Sequence, residues 1–124
     1  MNLLLDANVL LWWLSGSGRL SGSARAAIVA SGATYVSAAT AWEIAIKVAR
    51  GKLEFRGDIE AQMVLNHFSP LPITVAHAVA AAGLPRHHDD PFDRMLVAQA
   101  SMESLVLLTS DKQLAAYGVP VLMA

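Results

Sequence analysis

The sequence predicts a layered α/β domain built on a parallel sheet. Short apolar segments of strand length alternate with longer helical segments along the chain, and this alternation is typical of parallel strands joined by crossover helices. Of the 124 residues, 55% are hydrophobic and 15% are charged, so a sizeable core is expected and disorder is disfavoured. Because this length suits one folding unit, we expect a single domain over residues 1–124.

The first half of the chain carries two predicted strands and four predicted helices. The apolar run at its start is typical of a buried strand. Ser21 or Ser23 supplies an N-cap for the second helix, which Gly32 stops, and Gly51 ends the third. The elements are a strand over Met1–Leu5, a helix over Val9–Leu14, a helix over Ser21–Ala30, a strand over Thr34–Ser37, a helix over Ala38–Arg50 and a helix over Asp58–His67.

The second half repeats the alternation with clearer boundaries. Gly83 and Pro85 stop one helix, and the next begins at Asp90 and Pro91 because Asp is a favoured N-cap and Pro suits the first helical position. The elements are a strand over Leu71–Thr74 interrupted by Pro72, a helix over Val75–Leu84, a helix from Asp90 to about Glu103, a strand over Val106–Thr109, a helical turn over Asp111–Ala116 and a strand over Val119–Leu122.

Four acidic residues occupy corresponding places in this pattern. Asp6 and Asp111 each follow a predicted strand, while Glu43 and Asp93 each lie in the first turns of a helix. Ligands of open parallel sheets bind beyond the carboxyl ends of the strands, so the four side chains are expected to converge there. Clustered carboxylates repel one another unless a cation joins them. Mg²⁺, which prefers oxygen ligands, is the predicted occupant.

A purely structural interpretation stands beside the functional one for most of these acids. Asp6 also fits a helix N-cap, and Asp111 fits an ordinary turn or cap residue. Asp93 lies three residues after Asp90, a spacing that suits a capping-box-like pair, and Asp90 is assigned mainly to capping. Glu43 is harder to explain structurally, because an acid among apolar neighbours needs either solvent or a partner.

Each of the four acids belongs to a longer segment. The segments are Leu4–Leu11 (LLDANVLL), Ser37–Lys47 (SAATAWEIAIK), His88–Ala100 (HDDPFDRMLVAQA) and Leu108–Asp111 (LTSD). In this order they resemble the PIN-domain toxins called VapC, and the resemblance spans almost the whole chain. It implies a PIN-like sheet with helices on both faces, RNA cleavage that depends on Mg²⁺ or Mn²⁺, homodimerisation, and inhibition by a small co-expressed VapB-like antitoxin.

The resemblance also implies roles for individual residues. By this analogy Asp6 and Asp93 are the principal metal ligands, Glu43 is a ligand or a base near the metal, and Asp111 is the most dispensable of the four. The polar residues expected to orient the acids or the metal-bound waters are Asn8, Thr109 and Ser110.

Basic residues bear on whether such a protein can bind RNA. The net charge is −1, which by itself disfavours a nucleic-acid binder, but neutralising four acids in a metal site leaves the rest of the chain net positive. Lys47 and Arg50 share a helix face with Glu43 and are candidates for phosphate contact, although a solvated basic face is the common alternative. Arg94 is expected either to pair with an acid or to contact a phosphate.

Histidine and tryptophan receive structural interpretations. His87 and His88 suggest a metal or general-acid role, but adjacent residues of an exposed loop seldom bind one ion and Mg²⁺ prefers oxygen, so a structural or surface role is favoured for both. Trp12, Trp13 and Trp42 are suited to stacking on RNA bases. Their apolar helical surroundings instead favour core or interface positions.

The predicted reaction is hydrolysis of an RNA phosphodiester by metal-activated water, which gives 5′-phosphate and 3′-hydroxyl ends. Two alternatives from other classes stay open. A haloacid-dehalogenase-like phosphatase would use Asp6 as its nucleophile, but Asn8 stands where its second Asp is expected. A non-catalytic module, either receiver-like or a silent PIN fold, would bind partners without cleaving RNA.

The sequence also predicts a cytoplasmic protein. No apolar run approaches the roughly 18 residues of a membrane-spanning helix, and the first residues do not have the pattern of a secretory signal. Cysteine is absent, which fits a reducing compartment and leaves only oxygen and imidazole groups to bind a metal.

Overall fold

The computed structural model describes all 124 residues, which form a five-stranded parallel sheet flanked by helices. The strands are β1 (Asn2–Leu5), β2 (Ala33–Ser37), β3 (Ser69–Leu71), β4 (Val106–Thr109) and β5 (Val121–Met123). The helices are α1 (Ala7–Ser15), α2 (Gly22–Ala30), α3 (Ala38–Ala49), α4 (Ile59–Leu65), α5 (Val75–Ala82), α6 (Pro91–Glu103) and a 3₁₀ helix (Lys112–Tyr117). None of them combines the length and the apolar character that crossing a lipid bilayer requires.

Two separate cores cover the two faces of the sheet. In β1, Leu3 and Leu5 join a core with α1, α2, α3 and α4, while Leu4 points the other way into a core with α6 and the 3₁₀ helix. β4 divides in the same manner, with Leu108 in the first core and Leu107 in the second. Successive residues of a strand face opposite sides, so an all-apolar strand must be covered on both. The α/β fold with helices on both faces, predicted from the sequence, is confirmed.

The strand order β3-β2-β1-β4-β5 places β1 in the middle of the sheet. The chain leaves β1 toward β2 on one side and later returns to β4 on the other, so the order reverses between β1 and β4. In open α/β sheets the crevice at such a reversal, beyond the carboxyl ends of the strands, is the usual ligand site. Asp6 follows β1 and Asp111 follows β4, so both lie at this crevice.

The two edge strands differ from their predicted bounds. β3 ends at Leu71, where the prediction had it begin, and β5 begins at Val121 rather than Val119. β3 pairs only with β2, and an edge strand tolerates a proline such as Pro70 because one side of the strand needs no hydrogen bonds. Thr74, predicted to end the strand, is instead the N-cap of α5. These bounds were wrong because edge strands are too short and too little buried to give a clear apolar pattern.

The C-terminus of α6 generates a prediction about stability. Ser104 ends this helix in the left-handed region, with φ 56°, where a side chain is strained and glycine is not. Replacing Ser104 by Gly is expected to raise the free energy of unfolding by about 1 kcal/mol, measured by urea denaturation. The matched control is Ser101→Gly, in the body of α6, which should lower it by a similar amount. Loss of stability in Ser104→Gly would contradict the assignment of strain to Ser104.

Candidate functional site

A polar cleft of about 180 Å³ lies at the carboxyl edge of the sheet, over the crevice between β1 and β4. Nine residues line it, and only one is hydrophobic. The lining residues are Asp6, Ala7, Asn8, Glu43, Lys47, Asp90, Asp93, Ser110 and Asp111. The structure therefore brings together all four acids that the sequence singled out. Arg50, predicted as a phosphate contact, is exposed outside this lining.

Asp6 is the most buried of the four acids, with 5% of its surface exposed. Its Oδ1 accepts a hydrogen bond from the backbone N–H of Val9 at 2.8 Å, which makes it the N-cap of α1. Its Oδ2 accepts from the Thr109 hydroxyl at 2.6 Å and from the Ser110 N–H at 3.2 Å. Burial raises the pKa of Asp6, although these three hydrogen bonds oppose the rise. The carboxylate is fixed in place and still lines the cleft.

Asp93 lies in the first turn of α6, and its pKa is strongly raised. Burial, followed by repulsion from Asp90, raises its pKa to about 7 from an ordinary value of 3.8. The nearby carboxylates of Asp6 and Glu43 raise this pKa further, whereas His88 opposes the rise. A carboxyl group in this position needs either a proton or a cation near neutral pH.

Glu43 reaches the cleft from the second turn of α3. Its Oε2 lies 2.9 Å from the Nζ of Lys47, one turn further along the same helix. The Lys47 side chain is 46% exposed, so this ion pair adds little stability in solvent. Lys47 is nevertheless the one lysine or arginine in the lining of the cleft. It balances only part of the negative charge there.

Asp111 and two polar residues complete the rim. Asp111 is the N-cap of the 3₁₀ helix, because its Oδ1 accepts from the Gln113 N–H at 2.9 Å. Asn8 donates from Nδ2 to the Ser110 hydroxyl at 3.3 Å. The hydrogen bonds of Asn8 and Ser110 therefore link the start of α1 to the loop after β4.

His88 lies beside two of the cleft acids, which the sequence did not predict. The sequence favoured a structural or surface role for both histidines. His88 is only partly exposed, and its Nε2 lies 2.8 Å from Asp111 Oδ2 and 3.5 Å from Asp93 Oδ2. Together these three groups are close enough to surround an ion. His87 is exposed, as expected, and contacts the ring edge of Tyr117. The loop before α6 directs His88 toward Asp93 and Asp111. No periodic pattern in the sequence predicts this orientation.

Arg94 also differs from expectation. Its guanidinium group contacts neither an acid nor the open cleft, and instead donates to backbone carbonyl groups in and after the last turn of α5. The acceptors are the carbonyl oxygens of Ala81, Ala82, Leu84, Pro85 and His88. Carbonyls at a helix C-terminus lack partners within the helix, which explains why they attract a cationic donor. Arg94 therefore has a structural role and does not pair with an acid, while its contact with RNA stays a prediction.

The tryptophans separate into two kinds. Trp12 and Trp13 pack against the first core, and Trp13 donates from Nε1 to Asn66 Oδ1 at 2.9 Å. Trp42 was predicted in the core or an interface, but it is 63% exposed in this chain and makes an edge contact with Phe92. The core interpretation is therefore wrong for Trp42.

Comparison with known proteins agrees with this geometry. The family model described as PIN domain matches residues 3–120. Ribonuclease VapC22 of Mycobacterium tuberculosis is 29% identical over 120 residues, which cover 94% of this chain and 92% of that protein. VapBC2 of Rickettsia felis, solved bound to a promoter DNA fragment, has a similar fold, with a TM-score of 0.75 at 11% identity over 99% of this chain and 98% of that one. FitAcB of Neisseria gonorrhoeae also has a similar fold, with a TM-score of 0.70 at 23% identity over 96% of this chain and 95% of that one.

The raised pKa of Asp93 predicts how the stability of the metal-free protein depends on pH. The folded state holds this proton more tightly than the unfolded state, so the stabilisation is complete below about pH 4 and is lost as the pH rises through about 7. In EDTA, the free energy of unfolding should fall by about 1 to 2 kcal/mol from pH 5 to pH 8, after allowance for solvent screening. Thermal and urea unfolding by circular dichroism would measure it.

The control for this prediction is Asp93→Asn, which cannot ionise. Its stability in EDTA should vary less with pH than that of the wild type, and the difference between the two curves isolates Asp93 from the histidines. Parallel curves for the two proteins would show that Asp93 is not the group responsible.

Proposed function

This chain belongs to the PIN-domain family, and from that premise we propose that it is a metal-dependent endoribonuclease, the toxin of a VapBC-type toxin–antitoxin pair. The observation that carries the proposal is the convergence of Asp6, Glu43, Asp93 and Asp111 on one cleft. The similarity to a protein named Ribonuclease VapC22 supports RNA as the substrate. In this proposal residues 1–124 act as one cytoplasmic PIN-like domain, which the absence of cysteine suits.

The residues of the cleft fit a hard divalent cation. Its donors are carboxylate oxygens, without thiolates, and the raised pKa of Asp93 indicates a place where a positive charge is needed. Asp6 and Asp93 are the proposed principal ligands, with Glu43 as a ligand or base and Asp111 as a secondary ligand. Mg²⁺ is the proposed ion and Mn²⁺ a substitute. When bound there, the ion supplies Lewis-acid charge to a phosphate and lowers the pKa of a water.

The surrounding residues position the acids and the RNA. Thr109 and Ser110 donate hydrogen bonds to the Asp6 carboxylate from the β4 side, and these bonds fix its orientation in the cleft. Lys47, with its exposed ammonium beside Glu43, is the proposed first phosphate contact, and Arg50 follows on the same helix. No pair of imidazoles lines the cleft. We therefore propose hydrolysis by water, with 5′-phosphate and 3′-hydroxyl ends, rather than attack by the 2′-hydroxyl.

The test is RNA cleavage titrated with Mg²⁺ or Mn²⁺. Asp6→Asn should lower kcat/KM by at least about 100-fold, because it removes a charge from the proposed ion site. The charge-matched control is Asp89→Asn, an exposed acid outside the lining of the cleft, which should cleave as the wild type does. Release of inorganic phosphate would favour the phosphatase, and no cleavage by any variant would favour a silent module. Ends bearing 2′,3′-cyclic phosphate would contradict the proposed mechanism.

An apolar groove supports the proposed antitoxin partner. It has a volume of about 760 Å³ and runs between α3, α4 and the edge strand β3. Ala41 and Ala45 of α3 line it opposite Ile59 and Met63 of α4. Grooves of this kind accept the apolar face of a partner peptide. A protein of similar fold from Klebsiella pneumoniae was solved as a toxin–antitoxin complex, and we propose that a VapB-like antitoxin binds in this groove.

The outer face of the α5–α6 pair supports the proposed homodimer. Val75 and Val79 lie one turn apart on α5 and are 82% and 69% exposed, and Met102 of α6 is 46% exposed. We expect Val79→Glu to shift the molar mass measured by light scattering from two chains toward one, because burying a charge in an apolar interface is costly. Val29→Glu is the control, since Val29 on α2 is 78% exposed and lies apart from this face. A single-chain mass for the wild type would overturn the dimer.

A further inference from the structure

We infer that His88 is a positioning residue for the acidic cleft: it donates a hydrogen bond from Nε2 to Asp111 and does not bind the cation itself. The inference deepens the proposed function and rests on it. It is carried by the contacts of the two ring nitrogens, which together indicate that Nδ1 accepts a hydrogen bond and that Nε2 donates one. The structural or surface role expected for this histidine from the sequence does not specify those contacts.

The backbone N–H of Asp90 fixes the tautomer of the ring. It donates to His88 Nδ1 at 3.0 Å. A backbone N–H can only donate, so Nδ1 must offer its lone pair and cannot carry a proton. In a neutral imidazole the proton is then on Nε2. The ring therefore presents a donor, and not a lone pair, to whatever lies beside Nε2.

The groups beside Nε2 are carboxylates. Asp111 Oδ2 lies 2.8 Å away, at hydrogen-bond distance, and Asp93 Oδ2 lies 3.5 Å away. The other oxygen of Asp111 already accepts from the Gln113 N–H. His88 therefore fixes the second oxygen of Asp111 next to Asp93. A hydrogen-bond donor at this point holds the Asp111 carboxylate beside Asp93.

The loop that carries His88 is itself held in place. The His88 carbonyl accepts from Arg94 Nη1 at 3.3 Å and from the Tyr117 hydroxyl at 3.4 Å. Arg94 lies on α6 next to Asp93, and Tyr117 ends the 3₁₀ helix that Asp111 caps. The backbone of His88 is thus anchored to the same two elements whose acids its ring contacts. This gives Arg94 a use near the cleft that needs no contact with RNA.

Two substitutions separate the two ring nitrogens. His88→Asn places an amide oxygen near the position of Nδ1, so it preserves the acceptor for Asp90 but lacks the reach to Asp111. His88→Gln places an amide N–H near the position of Nε2, so it preserves the donor to Asp111 at the expense of the contact with Asp90. A role limited to the loop predicts that Asn substitutes better, and a positioning role predicts that Gln does.

The first measurement is Mn²⁺ binding by calorimetry, which does not require catalysis. We expect His88→Asn to weaken Mn²⁺ binding by about 10- to 100-fold, and His88→Gln to stay within about threefold of the wild type. Melting temperatures in EDTA establish that each variant is folded. The inference would be overturned if His88→Asn bound Mn²⁺ as tightly as the wild type. It would also be overturned if His88→Gln lost Mn²⁺ affinity while His88→Asn did not. The RNA cleavage of Asp6→Asn and Asp89→Asn tests the nuclease proposal separately.

The second measurement uses wild-type protein alone. Long-range ¹H–¹⁵N NMR spectra distinguish a protonated from an unprotonated ring nitrogen, and in metal-free protein the signals of His88 should show Nε2 protonated and Nδ1 not. The same pattern is expected to persist through a titration with Mg²⁺. If Mg²⁺ removes the proton from Nε2, His88 is a ligand and the positioning role is wrong.

Discussion

Negative charge concentrated where two adjacent strands end is the constraint around which this structure is organised. β1 and β4 are covered on both faces by apolar cores, so the polar groups that follow them meet at the open edge of the sheet. Asp6 is fixed there by the start of α1 on one side and by Thr109 and Ser110 on the other. Its burial costs free energy while it stays charged. The three hydrogen bonds that the carboxylate accepts offset part of this cost.

Capping and ligand roles, weighed as alternatives from the sequence, are both available to a single aspartate. Asp6 and Asp111 each use Oδ1 to accept a backbone N–H at the start of a helix, which leaves Oδ2 directed elsewhere. A helix that begins directly after a strand of a parallel sheet has its N-cap at the crevice. The cap therefore brings the second oxygen close to the site. Asp90 shows the limit of this relation, since its Oδ1 accepts from two backbone N–H groups and adds repulsion to Asp93.

The sequence predicted most accurately the strands and helices that are formed by apolar segments or that begin at a capping residue. β1, β4, α3 and α6 were located almost to the residue, because each is buried over most of its length or starts at an Asp or Ser cap. The edge strands β3 and β5 were displaced by about two residues. The contacts of His88 and Arg94 were not predicted, for a different reason. Their contacts depend on the path of the loop between α5 and α6, which follows from tertiary packing rather than from any local pattern.

The negative charge of the cleft indicates that, in the proposed reaction, a cation must bind before RNA. RNA brings a row of negative phosphates to a lining in which five carboxylates face one lysine. Lys47 is already paired with Glu43, so it offers little net attraction before an ion is present. In the proposed nuclease, a divalent cation held by the acids around Asp93 would reduce this repulsion, and Glu43, by turning to the cation, would free Lys47 to contact a phosphate. Cation binding and RNA binding would then be coupled, and by linkage each would strengthen the other.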